Sequence, residues 1–476
     1  MTPAPPHTAP AAAAPDGLPQ PQRRWAMVTI LLGIGVAVLD GTVVTLALPA
    51  IGHQFQATAA SSIWVVNAYQ LAVLVMMLPA AALGDRYGYR RVYLWGVAVM
   101  LVASLGCLLS RSMPALIAWR AMQGAGAAGI MGINPALVRL TYPRALLGRG
   151  MALNSITVAV TSVAGPSIAA AVLSHASWPW LFAVNLPLAA MLFGLGRRAL
   201  PGQRGATPVS LRPGDVLLNA AMFSLVFLGV DRLGTRAAAG AIGAQDAAQA
   251  FGLLLAGVAV GVVFVRGQLR RPVPLLPVDL LRIPVFALSM CTSVAAFAAH
   301  TLGQVSLPFL LLVGLGRSAA ETGLLMAAWP LGSIAAAPLA GRLIGRCNTG
   351  VLSAIGLALL SSGLALLALL PAAPANADIA WRMALAGAGF ALFQSPNNYT
   401  IVTSAPATRA GGAGGMLGTA RLTGQSTGAV LLAIVFSATS APAGPPIALA
   451  LGAGCAAVAG LFSLSRRRGI DVASGG

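Results

Sequence analysis

The sequence predicts an all-α integral membrane protein with fourteen transmembrane helices and both termini in the cytoplasm. Three observations support this fold class. Hydrophobic residues make up 58% of the 476 residues and charged residues only 8%, whereas soluble proteins carry about 25% charged residues. The apolar residues form runs of roughly 20, the length of a bilayer-spanning helix. Arginines cluster mostly in every second gap between runs, which is typical of cytoplasmic loops.

The positive charge belongs to these gaps. Of the 29 basic residues, 22 lie in one set of gaps together with the terminal segments, five lie in the alternate gaps, and two lie within runs. This bias predicts that the first set, with both termini, faces the cytoplasm. An even number of spans is required for that arrangement. The net charge of +19 is spread over short loops rather than gathered on one face, so it does not indicate a nucleic-acid surface.

The cysteines do not indicate a metal site or disulfides, and the N-terminal segment does not indicate a cleaved signal peptide. The four cysteines are far apart and form no C-x-x-C motif or Cys/His cluster, so we expect no metal site and no disulfide framework. Residues 1–22 are rich in Pro and Ala without periodicity and predict a disordered cytoplasmic tail. The first apolar run, behind Arg23 and Arg24, is too long for the core of a signal peptide, so we expect a retained helix.

The first six apolar runs form an N-terminal half over residues 23–200. The gaps that separate these runs hold arginines, polar residues and helix breakers. In order, the spans are predicted at 26–47, 62–82, 92–110, 114–138, 150–173 and 180–200.

Two further runs, 214–231 and 248–266, form an insert with flanking loops over 201–282. Six more runs form a C-terminal half over 283–466, which is followed by a cytoplasmic tail at 467–476. These spans are predicted at 285–313, 320–343, 350–371, 380–403, 411–437 and 445–464. The long first span of this half is expected to tilt or bend near Pro308.

A weak internal sequence repeat supports an architecture of two similar halves. The motif Ala81-x-x-x-Asp85-Arg86 follows the second span, and Gly341-x-x-x-Gly345-Arg346 follows the tenth. Repeated halves packed around a central site are typical of transporters.

Three charged residues stand deep within predicted spans, namely Asp40, Arg120 and Arg421. Charge within a bilayer is costly and usually functional. Burial favours a protonated carboxylic acid, whereas a nearby cation favours the carboxylate. An acid balanced between the two can exchange a proton, so we predict that Asp40 couples transport to protons; the alternative is a structural hydrogen bond. Arg120 either tunes Asp40 or forms a fixed ion pair with it.

The loop Gly84–Arg91 between spans two and three is tight and highly charged. Asp85 is predicted to pair with Arg86, Arg90 and Arg91 or to cap a helix end, and so to act as a conformational latch. The alternative is a plain inside-positive turn.

The fifth span carries Gly165 and Pro166 among small residues. Proline bends a helix and small residues allow close packing. The pair therefore predicts either a seal between the halves or a simple kink.

Polar side chains in the spans are candidates to line a central cavity, because they cannot face lipid. The polar run from Gln394 to Tyr399 is the strongest example, whereas a lone histidine such as His300 is more often structural. The candidates are Asn67, Tyr69, Gln70, Gln123, Asn154, His300, Gln304, Gln394, Asn397, Asn398, Arg421 and Gln425.

These segments together resemble the major facilitator superfamily, and more narrowly its fourteen-helix drug:proton antiporters. The matching stretches are LDGTVVTLALP at 39–49, LGDRYGYRR at 83–91, Arg120-x-x-Gln123-Gly124-x-Gly126, Gly165-Pro166, the segment from Trp178 to Pro187, and GFALFQSPNN at 389–398. The sequence departs from the family pattern at several positions, which are Thr45, Ala81, Tyr89, Ala169, Ala170 and Pro179.

The resemblance implies a major facilitator fold with six, two and six helices in the cytoplasmic membrane. It implies export of small apolar or amphipathic drugs by alternating access, driven by the proton gradient without a cofactor. The expected partners are the lipid bilayer, a small-molecule substrate and protons, with no nucleic acid, and the protein is expected to be a monomer.

The sequence features bear on three alternative functions. A dedicated exporter of one metabolite or antibiotic has the same sequence features as a multidrug pump. A transport-inactive sensor is disfavoured because no signalling domain is attached. A membrane-embedded enzyme is disfavoured because no nucleophile–base pair, metal cluster or phosphate-binding loop is present in the sequence.

Overall fold

The structure, a computed structural model, describes residues 17–57, 59–202, 211–238, 244–271, 273–371, 373–439 and 443–473. Within these ranges the chain is helical, and one isolated bridge joins Ile344 to Cys347. Ten helical segments of the described chain are long and apolar enough to cross a membrane. The prediction of an all-α membrane protein is therefore confirmed.

The N-terminal half contains both long helices and short helical pieces. A 3₁₀ turn at Val44–Ala47 links the first two. In chain order they are α1 Gln22–Val43, α2 Leu48–Gln54, α3 Ala59–Tyr87, α4 Tyr89–Leu108, α5 Met113–Met131, α6 Asn134–Thr141, α7 Leu147–Leu173, α8 Trp180–Ala183 and α9 Asn185–Ala199.

The insert and the C-terminal half are also built from helices. The insert consists of α10 Pro213–Ala238 and α11 Ala244–Leu269. The helices of the C-terminal half are α12 Pro284–Phe309, α13 Ala319–Met326, α14 Ala328–Leu343, α15 Thr349–Ala368, α16 Asn376–Ser404, α17 Ala410–Ala438 and α18 Gly444–Ala473.

Several predicted spans are interrupted near prolines. Pro49 stands at the start of α2 and Pro135 at the start of α6, because proline lacks the N–H that would continue the helix before it. Pro308 lies inside α12, and a π-helical turn at Leu310–Gly314 follows it. Such turns and prolines are the usual causes of bends in long helices.

The chain ends lie at the same end of the bundle, where Arg409 after α16 pairs with Asp279 before α12, and Arg466 of α18 donates to Ser289 of α12. Most of the predicted N-terminal tail, residues 1–16, lies outside the described residues. The Leu18 N–H donates to the Thr141 carbonyl at 3.1 Å, which ties the start of α1 to the end of α6. At the other terminus, α18 continues through 467–473, a stretch that the sequence predicted as tail. We refer to this end of the bundle as the terminal end.

Each half has its own apolar core, and the two halves meet along long helices. In the contact between halves, α7 packs against α14 and α16, and α3 packs against α17. The insert helix α10 packs on α3 and α17 from outside. At the terminal end the halves approach closely, since a Cβ on Gly148 of α7 would lie 2.6 Å from Ile344 Cγ2.

Candidate functional site

A fully buried ion pair joins α1 to α5. Arg120 NH1 lies 2.6 Å from Asp40 Oδ2, and both side chains have 0% exposure. The guanidinium also donates through Nε to the Val65 carbonyl at 2.9 Å and through NH2 to the Asp40 carbonyl at 3.3 Å. The ring of Tyr69 lies 4.4 Å from its central carbon. Arg120 is therefore held by α1, α3 and an aromatic face at once.

The second oxygen of Asp40 is also occupied. Gln123 Nε2 donates to Oδ1 at 2.9 Å, and Asn185 Nδ2 donates to it at 2.5 Å. Gln123 in turn accepts a hydrogen bond from Arg120 at 2.7 Å. Removing one member of such a buried pair leaves the other charge uncompensated, at a cost of about 3–5 kcal/mol. Both oxygens of Asp40 are therefore engaged by neighbouring helices.

A cavity of about 850 Å³ lies between the two halves. The N-terminal half contributes α7, through residues from Ser155 to Ser162, and the C-terminal half contributes α12, α13, α14, α16 and α17. Its lining reaches Gly323 and Leu324 in α13, at the end of the bundle away from the chain termini. A volume of this size is within the usual range of about 300–1,000 Å³ for small-molecule sites.

A smaller cavity of about 80 Å³ lies beside the large one. The two share five residues in their walls, which are Ser155, Val158, Phe297, Gln394 and Arg421. Ile34 of α1 also lines the small cavity. Because six residues of helix separate Ile34 from Asp40, a rise of about 9 Å, α1 connects the ion pair to the cavity wall.

The structure brings only some of the predicted polar residues to these cavities. His300, Gln304 and Gln425 line the large cavity, Asn154 and Asn398 line the small one, and Gln394 and Arg421 line both.

The other predicted residues are engaged elsewhere, because helix rotation points them at neighbouring helices. Asn67 donates to Asp231 at 2.7 Å, Tyr69 donates to the Ala37 carbonyl at 2.7 Å, and Asn397 donates to Ser293 Oγ at 2.8 Å. Gln123 belongs to the network around the ion pair. Gln70 is exposed on α3.

At the terminal end, Asp85 caps the first turn of α17 in the other half. Its Oδ1 accepts from the Gly411 N–H and its Oδ2 from the Gly412 N–H, both at 2.9 Å. The Tyr89 hydroxyl donates to Oδ1 at 2.6 Å. Of the two roles considered for Asp85, the geometry is that of a helix cap. A carboxylate at a helix N-terminus is favoured by the partial positive charge there.

The arginines of the same loop have other contacts. Arg90 donates to the carbonyl of Arg197. Arg86 lies 5.2 Å from the ring centroid of Tyr87, and Arg91 is exposed.

Gly165 packs within its own half. A Cβ at this position would clash with Thr42 Oγ1, so a larger residue would force Thr42 or the approach of α7 to α1 to shift. The structure describes the backbone of Pro166 but not its side chain. The contact that α7 makes with the opposite half is made nearer the terminal end, where Gly341 of α14 faces Ala152.

Sequence reasoning overlooked several contributors to these sites. Asn185 stands in a recognised segment, yet nothing in its spacing points to Asp40. Trp329 and Phe390 line the large cavity, although alone they read as ordinary apolar residues. Arg139 is one of the 22 arginines in the gaps predicted to be cytoplasmic, and its NH1 donates to the Val402 and Ala405 carbonyls of the other half at 2.6 and 2.9 Å.

Known proteins match the chain over most of its length. The family model described as Major Facilitator Superfamily matches residues 30–429. The chain is 52% identical over 424 residues, 89% of this chain and 91% of the relative, to the "Uncharacterized transporter YebQ" of Escherichia coli (strain K12). It is 30% identical over 419 residues, 87% of this chain and 76% of the relative, to the "Tetracenomycin C resistance and export protein" of Streptomyces glaucescens.

Among solved structures, the chain is similar to the crystal structure of the human organic anion transporter MFSD10 (TETRAN). The similarity has a TM-score of 0.66 and covers 93% of this chain and 100% of that one. At 17% identity it shows the fold alone.

Proposed function

The chain belongs to the Major Facilitator Superfamily, whose members among its relatives are transporters and not enzymes, and from this premise we propose that it is a proton-coupled exporter of small amphipathic compounds. The 30% identical relative is named for tetracenomycin C resistance and export. The observation that carries proton coupling is the Asp40–Arg120 pair, because a charged pair with 0% exposure inside an apolar membrane protein is costly and is usually retained for function.

The proposed topology has fourteen spans with both termini in the cytoplasm. Ten helical segments meet the length and hydropathy requirements of a span. Four more helical segments have the length of a span, namely α5–α6, α7, α16 and α17. The arginine bias of 22 to five supports the orientation.

In this topology the terminal end faces the cytoplasm. The contacts between halves that involve Asp85, Arg139 and Gly148 all lie at that end. The large cavity lies towards the opposite, external end. The conformation therefore corresponds to the outward-facing state of an alternating-access cycle, the state in which substrate leaves and protons enter.

Asp40 is the proposed proton carrier. In the outward-facing state, a proton reaching Asp40 neutralises the partner of Arg120 and loosens the contacts that Asp40 makes with α5 and Asn185 of α9. Because α1 also packs along α7, a shift of α1 reaches the helix that lines the cavity. Release of the proton to the cytoplasm restores the pair, and each turnover exchanges protons for substrate.

The test uses everted membrane vesicles loaded with a pH-sensitive dye. Tetracenomycin C and a panel of small amphipathic compounds are added, with and without an uncoupler, and proton movement on substrate addition is recorded. Asp40→Asn should abolish the coupled proton movement when the signal is normalised to the amount of folded protein in the vesicles, because an uncompensated Arg120 lowers stability.

Asp378→Asn is the matched control for this experiment. It makes the same chemical change in the partly exposed pair with Arg382, whose charged atoms are 2.9 Å apart and whose contribution to stability is about 0–1 kcal/mol. Coupled movement that persists in Asp40→Asn, or that is lost equally in Asp378→Asn, would remove Asp40 from the mechanism.

A dedicated exporter of one compound is the second candidate. The name of the Streptomyces relative, which specifies tetracenomycin C, favours it. Response to a single member of the panel would support this candidate over a multidrug pump.

A further inference from the structure

The large cavity carries one positive charge that no acidic side chain neutralises. Arg421 of α17 lines both cavities, and no Asp or Glu lines either among the described residues. The carboxylate of Asp40 is already engaged by Arg120, Gln123 and Asn185. The described contact of the Arg421 guanidinium is with the ring of Phe297, 5.7 Å from its centroid.

The wall beside Arg421 is aromatic. His300 stacks on Phe390 with centroids 4.3 Å apart and an interplanar angle of 20°. Trp329 meets the His300 ring edge-on at 5.5 Å, and Phe297 meets Phe390 at 5.4 Å. Flat rings favour offset stacks and edge-to-face contacts of this kind, so the wall is suited to a planar aromatic ligand.

One unused hydrogen-bond donor and three uncharged amides complete the site. Trp329 is only 2% exposed, and its indole Nε1 has no hydrogen-bond partner. An indole N–H can only donate, so its complement is an oxygen acceptor. Gln304, Gln394 and Gln425 add neutral amides to the lining.

The charge balance of this site discriminates between ligands. An unpaired cation in a low-dielectric site repels a second cation and is stabilised by an anion. A guanidinium also matches a carboxylate with two parallel hydrogen bonds, which are stronger than neutral ones. A site built for organic cations would instead need a carboxylate in its wall, and the described lining has none.

Resting on the proposed function of this cavity, we propose that the preferred substrates are planar aromatic compounds that carry one acidic group. The acid pairs with Arg421, and the ring lies against the wall formed by His300, Trp329 and Phe390. The site disfavours aromatic cations of the same shape.

The experiment measures binding to the purified full-length protein in nanodiscs, without a proton gradient. The probes are three compounds with the same ring system: 2-naphthoate, 2-naphthamide and 2-naphthylmethylammonium. Their affinities are measured by isothermal titration calorimetry. We expect naphthoate to bind at least about tenfold more tightly than the amide, equal to about 1.4 kcal/mol, and the ammonium to bind most weakly.

Two variants assign the preference to Arg421. Arg421→Gln should reduce the ratio of naphthoate to naphthamide affinity to about one, because hydrogen bonding remains but the charge is gone. Arg421→Lys should keep the preference for the anion at a smaller ratio, since a lysine lacks the planar fork. If Arg421→Gln does not fold, the comparison of the three probes on the unaltered protein still decides the matter.

The results separate this inference from the proposed function. Equal or tighter binding of the ammonium, or an anion preference unchanged in Arg421→Gln, overturns the inference even if coupled efflux is observed. An anion preference that depends on Arg421 upholds the inference for this cavity even if vesicles show no coupled proton movement, in which case proton coupling alone fails.

Discussion

Replacing Asp85 with Asn should open the terminal end of the bundle. Asp85 is the carboxylate that ties α3 to the first turn of α17 across the contact between halves. The substitution keeps the shape of the side chain. Asn Oδ1 can still accept from Gly411 and Tyr89, but its NH2 group then faces the Gly412 N–H, donor against donor.

The size of the effect follows from that one lost contact. A hydrogen bond to a charged group contributes about 1.5–3 kcal/mol, and the favourable charge at the helix N-terminus adds about 0.3–1 kcal/mol. The closed end alone loses this energy, because in the open state water can satisfy the Gly412 N–H. The two contributions together give about 2–4 kcal/mol, which shifts the ratio of open to closed molecules by about 30- to 900-fold.

Spin labels on the two halves measure this ratio directly. Cys347 is already exposed in the C-terminal half, and the exposed Arg91, changed to Cys, supplies the site in the N-terminal half. The remaining cysteines are first changed to Ala; they are Cys107, Cys291 and Cys455. Double electron–electron resonance should then show a long-distance population that grows in Asp85→Asn.

The control is Asp378→Asn in the same labelled background. Asp378 lies at the start of α16, the end of that helix remote from the terminal end, so its distance distribution should not change. An Asp85→Asn distribution that matches the unaltered protein, or a shift towards shorter distances, would refute the role of Asp85 as a cap that holds the two halves together.

Two further predictions test packing and orientation. Gly165→Ala should lower the thermal unfolding temperature in detergent, because its Cβ would clash with Thr42 Oγ1. The expected loss of stability is about 1–3 kcal/mol, which is typical of overpacked sites. Adding Thr42→Ala should recover much of this loss, and a single variant as stable as the unaltered protein would contradict the packing. In a background without the other three cysteines, the exposed Cys347 should react with a membrane-impermeant maleimide in everted vesicles and not in intact cells, and the reverse pattern would place the termini outside.

Much of the fold was accessible from the sequence because lipid imposes local requirements. Each spanning helix must satisfy its own backbone hydrogen bonds and present an apolar surface, so composition, run length and arginine spacing predicted the helices one at a time. The breaks at Pro49 and Pro135 were not predicted, because proline inside an apolar run is compatible with either a kink or an interruption.

The candidate site was accessible only in part. Depth in an apolar run singled out Asp40, Arg120 and Arg421, because a charge there is unusual in any arrangement. In the structure Asp40 and Arg120 form one ion pair, whereas Arg421 lines the cavity. This difference depends on the rotation of each helix about its axis.

The sequence by itself determined that this chain is a membrane protein of repeated helices with a few costly buried charges, because hydropathy and charge act on each segment separately. Only the tertiary structure decided which distant groups meet. Asp85 reaches Gly411, 326 positions away, and Asn185 reaches Asp40, 145 positions away. Contacts between residues so far apart in the sequence depend on the rotation and packing of whole helices, which a local pattern of residues does not predict.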